Sequence, residues 1–216
     1  MPETAISQVL KQVRFYGILD SSYVGPRQWV AKCQAMLDGG ADLVQLRAKR
    51  ETVAERTILL EQILPLFANN RVPLIINDDL GLALSHPGLG LHIGQDDLAP
   101  VAARQQLGPD RILGLSTHTL DQAKSALALK DTLNYFAVGP IFPTPTKPNA
   151  TPVGLTLATQ VQALKPALPF FAIGGLKRQN IAWARQAGIA RAVVVSDVLC
   201  AQDTAAAVSQ VRKSLS

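Results

Sequence analysis

Two basic side chains, Arg47 and Lys49, stand two residues apart in the segment QLRAK, which follows a short apolar run. On an extended strand, residues two apart face the same side, so both cations can reach one ligand. Arginine offers a planar fork to phosphate oxygens and lysine a mobile point charge. With Lys147 from the segment TPTK, they could clamp a diphosphate. Because Lys and Arg are mostly exposed in proteins, the alternative for each is a solvated surface charge.

Acidic residues follow the next two apolar runs, in the segments NDD and GQDD. We expect Asp78 and Asp97 to bind Mg²⁺, which favours one or two carboxylates together with water and substrate phosphates. Asp79 and Asp96 stand beside them, and for these two residues capping of the following helix is at least as good an interpretation. The sequence has no His and Cys cluster that would indicate zinc.

A phosphate site is predicted from the segments that end in Gly174–Gly175 and Val195–Ser196, each just before a helical pattern. Backbone N–H groups at such turns can face an anion, although a glycine pair is often only a tight turn. His92 and His118 also follow apolar runs, and His86 lies in the segment SHPG. For all three histidines, a hydrogen-bonded structural imidazole is the preferred interpretation.

The elements that must position these residues alternate between short apolar runs and longer amphipathic stretches, as in repeated βα units. The predicted strands are Phe15–Leu19, Leu43–Leu46, Leu74–Ile76, Leu89–Ile93, Ile112–Leu115, Tyr135–Val138, Phe170–Ile173 and Ala192–Val195. The predicted helices are Arg27–Leu37, Val53–Phe67, Leu80–Ser85, Ala99–Gln106, Leu120–Ala128, Leu157–Ala163, Arg178–Ala187 and Thr204–Leu215. Eight of each predict an α/β fold, a single (β/α)₈ TIM barrel over residues 1–216, with residues 1–13 as an N-terminal extension or helix. A Rossmann sheet is disfavoured because no GxGxxG turn follows the first strand.

In such a barrel all strands point the same way, so the polar segments that end seven of the strands converge at one rim. The irregular stretch between the sixth strand and the next helix, residues 139–154, is rich in Pro, Thr and Gly and lies on this same face. Long irregular loops of compact domains are usually functional or disordered. Convergence of this kind is typical of an active site.

Composition limits the class of protein: 48% of the 216 residues are hydrophobic and the net charge is +5. The basic residues are scattered, which favours small phosphorylated substrates as partners and argues against nucleic acid. No leader pattern and no run of about 18 apolar residues occurs, so we expect a cytoplasmic protein with no membrane partner. Cys33 and Cys200 are expected to be buried free thiols. The oligomeric state stays open, and a homo-oligomer is compatible with the sequence.

Seven motifs resemble those of the thiamine-phosphate synthase family, also called thiamine-phosphate pyrophosphorylases, in order and spacing. They are QLRAK, IINDD, LHIGQDD, GLSTH, GPIFPTPTK, AIGG and VVVS, and the resemblance spans roughly residues 15–200. It implies coupling of (4-amino-2-methyl-5-pyrimidinyl)methyl diphosphate to 4-methyl-5-(2-phosphoethyl)thiazole, or its carboxylate. The products would be thiamine monophosphate and pyrophosphate, formed by a dissociative, Mg²⁺-assisted substitution. Many members of the family have NDR where this chain has NDD, so Asp79 stands in place of an arginine.

The resemblance also implies roles for individual residues of this chain. The pyrimidine diphosphate would be held by Gln45, Leu46, Arg47, Ala48, Lys49, Asn77, Ser116 and Lys147, of which Arg47, Lys49, Ser116 and Lys147 would be catalytic. The thiazole phosphate would be held by Thr144, Pro145, Thr146, Gly175, Val195 and Ser196, and Mg²⁺ by Asp78 and Asp97.

Two alternative functions remain open. One is a thiazole tautomerase, which is similar to this family but uses neither a diphosphate nor a metal. The other is a barrel without catalytic activity that binds a phosphate ester. The tautomerase reaction does not require a Thr-x-Thr-Lys loop, so the presence of Thr144, Thr146 and Lys147 together with Asp78 and Asp97 favours the synthase. The diphosphate clamp argues against the binding protein, because a protein that only binds needs no group that stabilises a departing pyrophosphate.

Overall fold

The computed structural model describes residues 5–68, 70–146 and 150–216. Its parallel strands close into a barrel in the order β1 to β8, with β8 beside β1. The strands are β1 (Phe15–Asp20), β2 (Leu43–Arg47), β3 (Leu74–Asn77), β4 (Gly90–Ile93), β5 (Leu113–Thr117), β6 (Tyr135–Val138), β7 (Phe170–Ile173) and β8 (Ala192–Val194). The prediction of a single (β/α)₈ barrel is therefore confirmed for the described part of the chain.

Helices alternate with the strands around the outside of the barrel. They are α1 (Ala5–Gln12), α2 (Trp29–Asp38), α3 (Val53–Phe67), α4 (Leu80–Leu84), α5 (Pro100–Leu107), α6 (Leu120–Ala128), α7 (Gly154–Ala163), α8 (Ile181–Gln186), α9 (Ser196–Leu199) and α10 (Thr204–Leu215). A 3₁₀ turn, Pro26–Gln28, precedes α2. Helix α3 begins with a capping box in which Thr52 and Glu55 bond each other's backbone N–H groups.

Several predicted helix boundaries differ from the structure. Helix α7 begins three residues before the predicted Leu157, at Gly154, whose φ of 70° lets the chain turn out of the preceding loop. Helix α8 begins three residues after the predicted Arg178, because the Asn180 side chain accepts a hydrogen bond from the Lys177 N–H and holds a turn there. Helix α9 was not predicted, since four residues are too few to show a periodicity.

Apolar side chains form two separate packed regions. The interior of the barrel is filled by residues of several strands together with Leu10 and Val13, which lie in or just after α1. The N-terminal segment thus helps to close one end of the barrel. A larger layer lies between the outer faces of the strands and the surrounding helices. Successive strand residues alternate between these two regions, so alternate residues also reach opposite sides at the strand ends.

The two cysteines are free, as expected, but only Cys33 is buried. Cys200 is exposed at the end of α9, so the expectation of two buried thiols was wrong for this residue. In the described part of the chain, no helix is both long and apolar enough to cross a membrane.

Candidate active site at the carboxyl ends of the strands

A cavity opens at the carboxyl ends of the strands and is lined by residues from both halves of the barrel. Ten of the predicted site residues lie in its wall: Gln45, Arg47, Asn77, Ser116, Thr144, Pro145, Thr146, Gly175, Val195 and Ser196. The structure therefore brings together side chains predicted for the pyrimidine diphosphate and residues predicted for the thiazole phosphate.

Arg47 reaches this cavity from the end of β2 and forms an ion pair with Asp20, the last residue of β1. The Nη1 to Oδ2 distance is 2.7 Å, and the Asp20 side chain is fully buried. The other oxygen of Asp20 accepts a hydrogen bond from the Ser22 N–H at 2.9 Å. Asp20 thus fixes one guanidinium nitrogen of Arg47 at the cavity wall.

Asp20 was not predicted as a site residue, although the sequence contains a signal for it. It ends the run FYGILD, the one strand to which no polar end had been assigned. A carboxylate that ends a buried strand needs a cationic partner, because burial of an unpaired charge is costly.

Lys49 forms an ion pair with Asp78 at the rim, with 2.8 Å between Nζ and Oδ2. Neither residue lines the cavity. Asp78 lies in the left-handed region with φ of 60°, and its N–H bonds the carbonyl of His92 at 2.8 Å. The predicted diphosphate lysine and the predicted metal carboxylate therefore neutralise each other in the structure.

Asp97 follows β4 and is exposed, and its Oδ2 accepts a hydrogen bond from the Gly94 N–H at 2.7 Å. It lies outside this cavity, in a second depression lined by residues of α5 and α6. Asp79 caps a helix, which was the alternative to metal binding for this residue. Its side chain accepts a hydrogen bond from the Leu82 N–H at the start of α4. Over the described ranges, no group of three or more His, Cys, Asp or Glu side chains is arranged to hold a metal ion.

Five polar side chains from five strands form one hydrogen-bonded chain, and all of them except Tyr135 line the cavity. Gln45 Nε2 donates to the Tyr16 hydroxyl at 2.6 Å, and the Tyr16 and Tyr135 hydroxyls are 2.8 Å apart. His92 Nδ1 lies 2.9 Å from the Tyr135 hydroxyl, and its Nε2 lies 2.9 Å from Ser116 Oγ. His92 is thus a hydrogen-bonded imidazole, as its sequence context indicated, and it connects to a residue of the cavity wall.

Burial raises the pKa of the Tyr16 and Tyr135 hydroxyls above the usual phenol value of about 10. Both side chains therefore remain protonated at neutral pH. Gly114 on β5 makes room for the Tyr135 ring, because a Cβ at this position would overlap the ring atoms. Three aromatic rings, those of Tyr16, Tyr135 and Phe171, pack edge to face in this region.

The opposite wall of the cavity is formed by the loop after β6 and by the turn after β7. Gly174 and Gly175 have φ angles of 95° and 64°. A Cβ at Gly175 would lie 2.6 Å from the Cβ of Phe142 and 2.7 Å from the carbonyl oxygen of Pro143. The glycine therefore permits the turn after β7 to pack directly against the loop after β6.

The loop after β6 is also tied to the opposite side of the barrel. The Tyr23 hydroxyl, in the segment after β1, lies 2.7 Å from the Thr146 hydroxyl. At the base of the loop, the Val153 N–H bonds the carbonyl of Pro140 at 2.8 Å. These contacts place Thr144 to Thr146 at the cavity mouth, while the predicted catalytic Lys147 lies outside the described residues.

Leu46 and Ala48 are buried on the other side of their strand, in the layer between the barrel and the helices. Strand alternation explains this placement, because Gln45 and Arg47 face the cavity and their neighbours must face away. Their side chains thus support the strand, and the cavity wall in this segment is formed by Gln45 and Arg47.

The family model described as thiamine monophosphate synthase matches residues 15–198. A thiamine-phosphate synthase of Shouchella clausii is 36% identical over 202 residues, which cover 92% of this chain and 94% of that protein. A thiamine-phosphate synthase of Roseiflexus castenholzii is 40% identical over 193 residues, covering 89% of this chain and 83% of that protein. The structure of thiamine phosphate pyrophosphorylase from Pyrococcus furiosus superposes with a TM-score of 0.84 at 25% identity, covering 96% of this chain and 97% of that one.

Proposed function

Because the chain belongs to the thiamine monophosphate synthase family and is a transferase of that kind, we propose the following reaction. The enzyme joins (4-amino-2-methyl-5-pyrimidinyl)methyl diphosphate to 4-methyl-5-(2-phosphoethyl)thiazole or its carboxylate. It forms thiamine monophosphate and releases pyrophosphate. The observation that best supports this proposal is the two-sided cavity. One wall offers Arg47 and Ser116 to a diphosphate, and the other has the Gly174–Gly175 turn for a second phosphate.

Arg47 stabilises the leaving group in this proposal. Its bond to Asp20 uses Nη1 and leaves other guanidinium N–H groups to bind diphosphate oxygens in the cavity. Negative charge on the pyrophosphate grows as the bond to the pyrimidine methylene breaks, so a fixed cation stabilises the transition state more than the ground state. The Ser116 hydroxyl adds a donor from β5.

We assign Asp78 and Asp97 as the residues that would hold Mg²⁺. Their carboxylates follow β3 and β4, and carboxylate oxygens combined with water and substrate phosphate form the set of ligands that Mg²⁺ prefers. When bound, the ion supplies positive charge to the departing diphosphate. Lys49 keeps Asp78 neutralised at the rim until the substrate arrives, and the diphosphate then offers Lys49 an anionic partner of higher charge.

Nucleophilic attack by the thiazole nitrogen needs no general base from the protein, since this nitrogen carries a lone pair. The remaining task of the protein is to keep water from the pyrimidine methyl cation. The bond between Tyr23 and Thr146 holds the loop after β6 at the cavity mouth, which restricts access of water from that side.

The test is incubation of the purified protein with both substrates and Mg²⁺, followed by detection of thiamine monophosphate and pyrophosphate. The two forms of the thiazole phosphate are compared in parallel reactions. We expect product only when both substrates are present. Isomerisation of the thiazole carboxylate phosphate alone would favour the tautomerase. Binding of both ligands without turnover would favour a protein that only binds.

Gly175→Val should raise the KM for the thiazole phosphate by about tenfold or more, which corresponds to about 1.4 kcal/mol. The added side chain would displace Phe142 and Pro143 and so move the wall that faces this substrate. The KM for the pyrimidine diphosphate should change little. Gly188→Val is the matched control, because Gly188 also has a positive φ, 80°, but no atom lies within 4 Å of an added Cβ. An equal rise in both KM values for Gly175→Val would contradict the division of the cavity.

A further inference from the structure

We propose that Tyr16, Tyr135 and His92 are positioning residues, which set the donor and acceptor groups of Gln45 and Ser116 through one directional chain of hydrogen bonds. The inference rests on the proposed function, because it assigns Gln45 and Ser116 to the pyrimidine diphosphate. It assigns these three residues a role that acts through Gln45 and Ser116, although Tyr16 and His92 also line the cavity. It also predicts which hydrogen atom each end of the chain presents to the cavity.

The direction follows from counting protons. A phenol has one O–H to donate, and a neutral imidazole has one N–H and one bare nitrogen. Tyr16 and Tyr135 are fully buried and protonated, so each must donate once and accept once within the chain. His92 then follows from Tyr135, because an Nδ1 that accepts from the Tyr135 hydroxyl leaves the imidazole proton on Nε2, which lies 2.9 Å from Ser116 Oγ. All four bonds must therefore run in the same direction, since a reversal at any link would leave one buried proton without an acceptor.

Gln45 sets the direction in the structure, because its amide nitrogen donates to Tyr16. Tyr16 then donates to Tyr135, Tyr135 donates to His92 Nδ1, and His92 Nε2–H donates to Ser116 Oγ. The Ser116 proton is left to donate into the cavity, and the Gln45 amide oxygen is left as an acceptor. These groups match the substrate. Diphosphate oxygens only accept hydrogen bonds, and the 4-amino group of the pyrimidine donates them.

The packing around the chain keeps its geometry fixed. Tyr16 and Tyr135 are 1% and 0% exposed and His92 is 6% exposed, so water competes little for these bonds. The His92 ring stacks on the Tyr135 ring at a centroid distance of 5.5 Å. A chain in a dry environment polarises along its length, and a change at one end is therefore expected to reach the other.

The decisive experiment reverses the donor and acceptor direction of every bond in this hydrogen-bonded chain. Gln45→Glu replaces the amide donor by a carboxyl group that only accepts hydrogen bonds when it is ionised. Because burial at this position favours the neutral carboxyl, the spectra are recorded over a pH series that extends until the carboxyl is ionised. In the ionised form Tyr16, Tyr135 and His92 must all donate toward residue 45. His92 should then change from the Nε2–H to the Nδ1–H tautomer, which ¹⁵N NMR of histidine-labelled protein reports directly. The chain has three histidines, so assignment is simple. Asn77→Asp is the matched control, because it adds a carboxylate to the cavity wall outside the chain.

Three NMR outcomes would overturn the proposal: an Nδ1–H tautomer in the wild type, an unchanged tautomer in Gln45→Glu, or the same change in Asn77→Asp. The NMR result does not depend on activity. Failure of the proposed function, meaning no product from the wild type, is thus distinguishable from failure of this inference.

A double-mutant cycle of Tyr135 and Ser116 tests how the hydrogen-bonded chain affects the reaction. Tyr135→Phe should lower kcat/KM for the pyrimidine diphosphate by about fivefold to tenfold, the value of one well-placed hydrogen bond. In a Ser116→Ala background, the same substitution should have almost no further effect, because Tyr135 acts through Ser116. Tyr16→Phe also removes the hydrogen bond between the Tyr16 and Tyr135 hydroxyls, and it is the second variant if Tyr135→Phe does not fold.

Trp29→Phe controls for lost stability, because it removes a buried hydrogen bond to the Leu59 carbonyl away from the cavity. Its melting temperature should fall without a comparable loss of activity. Additive losses in the Tyr135 and Ser116 cycle, or an equal loss of activity in Trp29→Phe, would show that the tyrosines only stabilise the barrel.

Discussion

Removal of Arg47 should damage both stability and catalysis, and the buried partner Asp20 allows the two effects to be separated. In Arg47→Ala, the fully buried carboxylate of Asp20 loses its cation at 2.7 Å. Breaking a buried ion pair from one side costs about 3–5 kcal/mol. Asp20 also lines the cavity, so water can reach it once the guanidinium is gone, and we expect a cost of about 3 kcal/mol. For a chain of this size, this corresponds to a fall in melting temperature of about 6–12 °C.

The double variant Asp20→Asn/Arg47→Ala should regain most of this stability. Asparagine carries no charge, and its side-chain oxygen can still accept from the Ser22 N–H. Catalysis should not return, because the cation that faces the departing pyrophosphate is still missing. The loss of kcat in both variants should be about 100-fold, as for other groups that stabilise charge developing in a transition state.

The assays are thermal unfolding and steady-state release of pyrophosphate, carried out on the wild type, both single variants and the double variant. A double variant that melts as low as Arg47→Ala would contradict the argument from a buried unpaired charge. Recovery of activity together with stability would show that Arg47 supports the fold and does not act on the leaving group.

Chelation of divalent cations should abolish turnover, and the double variant Asp78→Ala/Asp97→Ala should show the same loss even with excess Mg²⁺; full activity in either case would refute the metal assignment. Alkaline pH should unfold the protein because the pKa values of Tyr16 and Tyr135 are raised in the folded state. Above about pH 10 the unfolded chain loses these phenol protons while the folded chain keeps them, so stability falls as pH rises. Phenolate absorbance of these two side chains should appear only together with loss of helical circular dichroism, and its appearance in folded protein would contradict their burial.

The barrel could be predicted from the sequence because each of its elements is determined by residues close together in the chain. Each strand core is a short apolar run, and the structure places every predicted strand within one or two residues of its predicted ends. The helix cap at Asp79 could also be predicted from the sequence, since it depends on residues only three positions apart. Parallel strands must bring their ends to one rim, which indicated an active site there. The family itself was identified from the resemblance of seven motifs in their order and spacing.

Contacts between distant segments were decided only by the tertiary structure. The Tyr16 and Tyr135 hydroxyls are 119 residues apart in the chain, and both positions read as ordinary strand residues in an apolar run. Likewise, the sequence placed Arg47 and Lys49 in one clamp, whereas the barrel pairs Arg47 with Asp20 and Lys49 with Asp78. The physical reason is that sequence patterns record which face of a strand is buried, while the partner of a buried polar group depends on the strand register and curvature that closure of the barrel imposes.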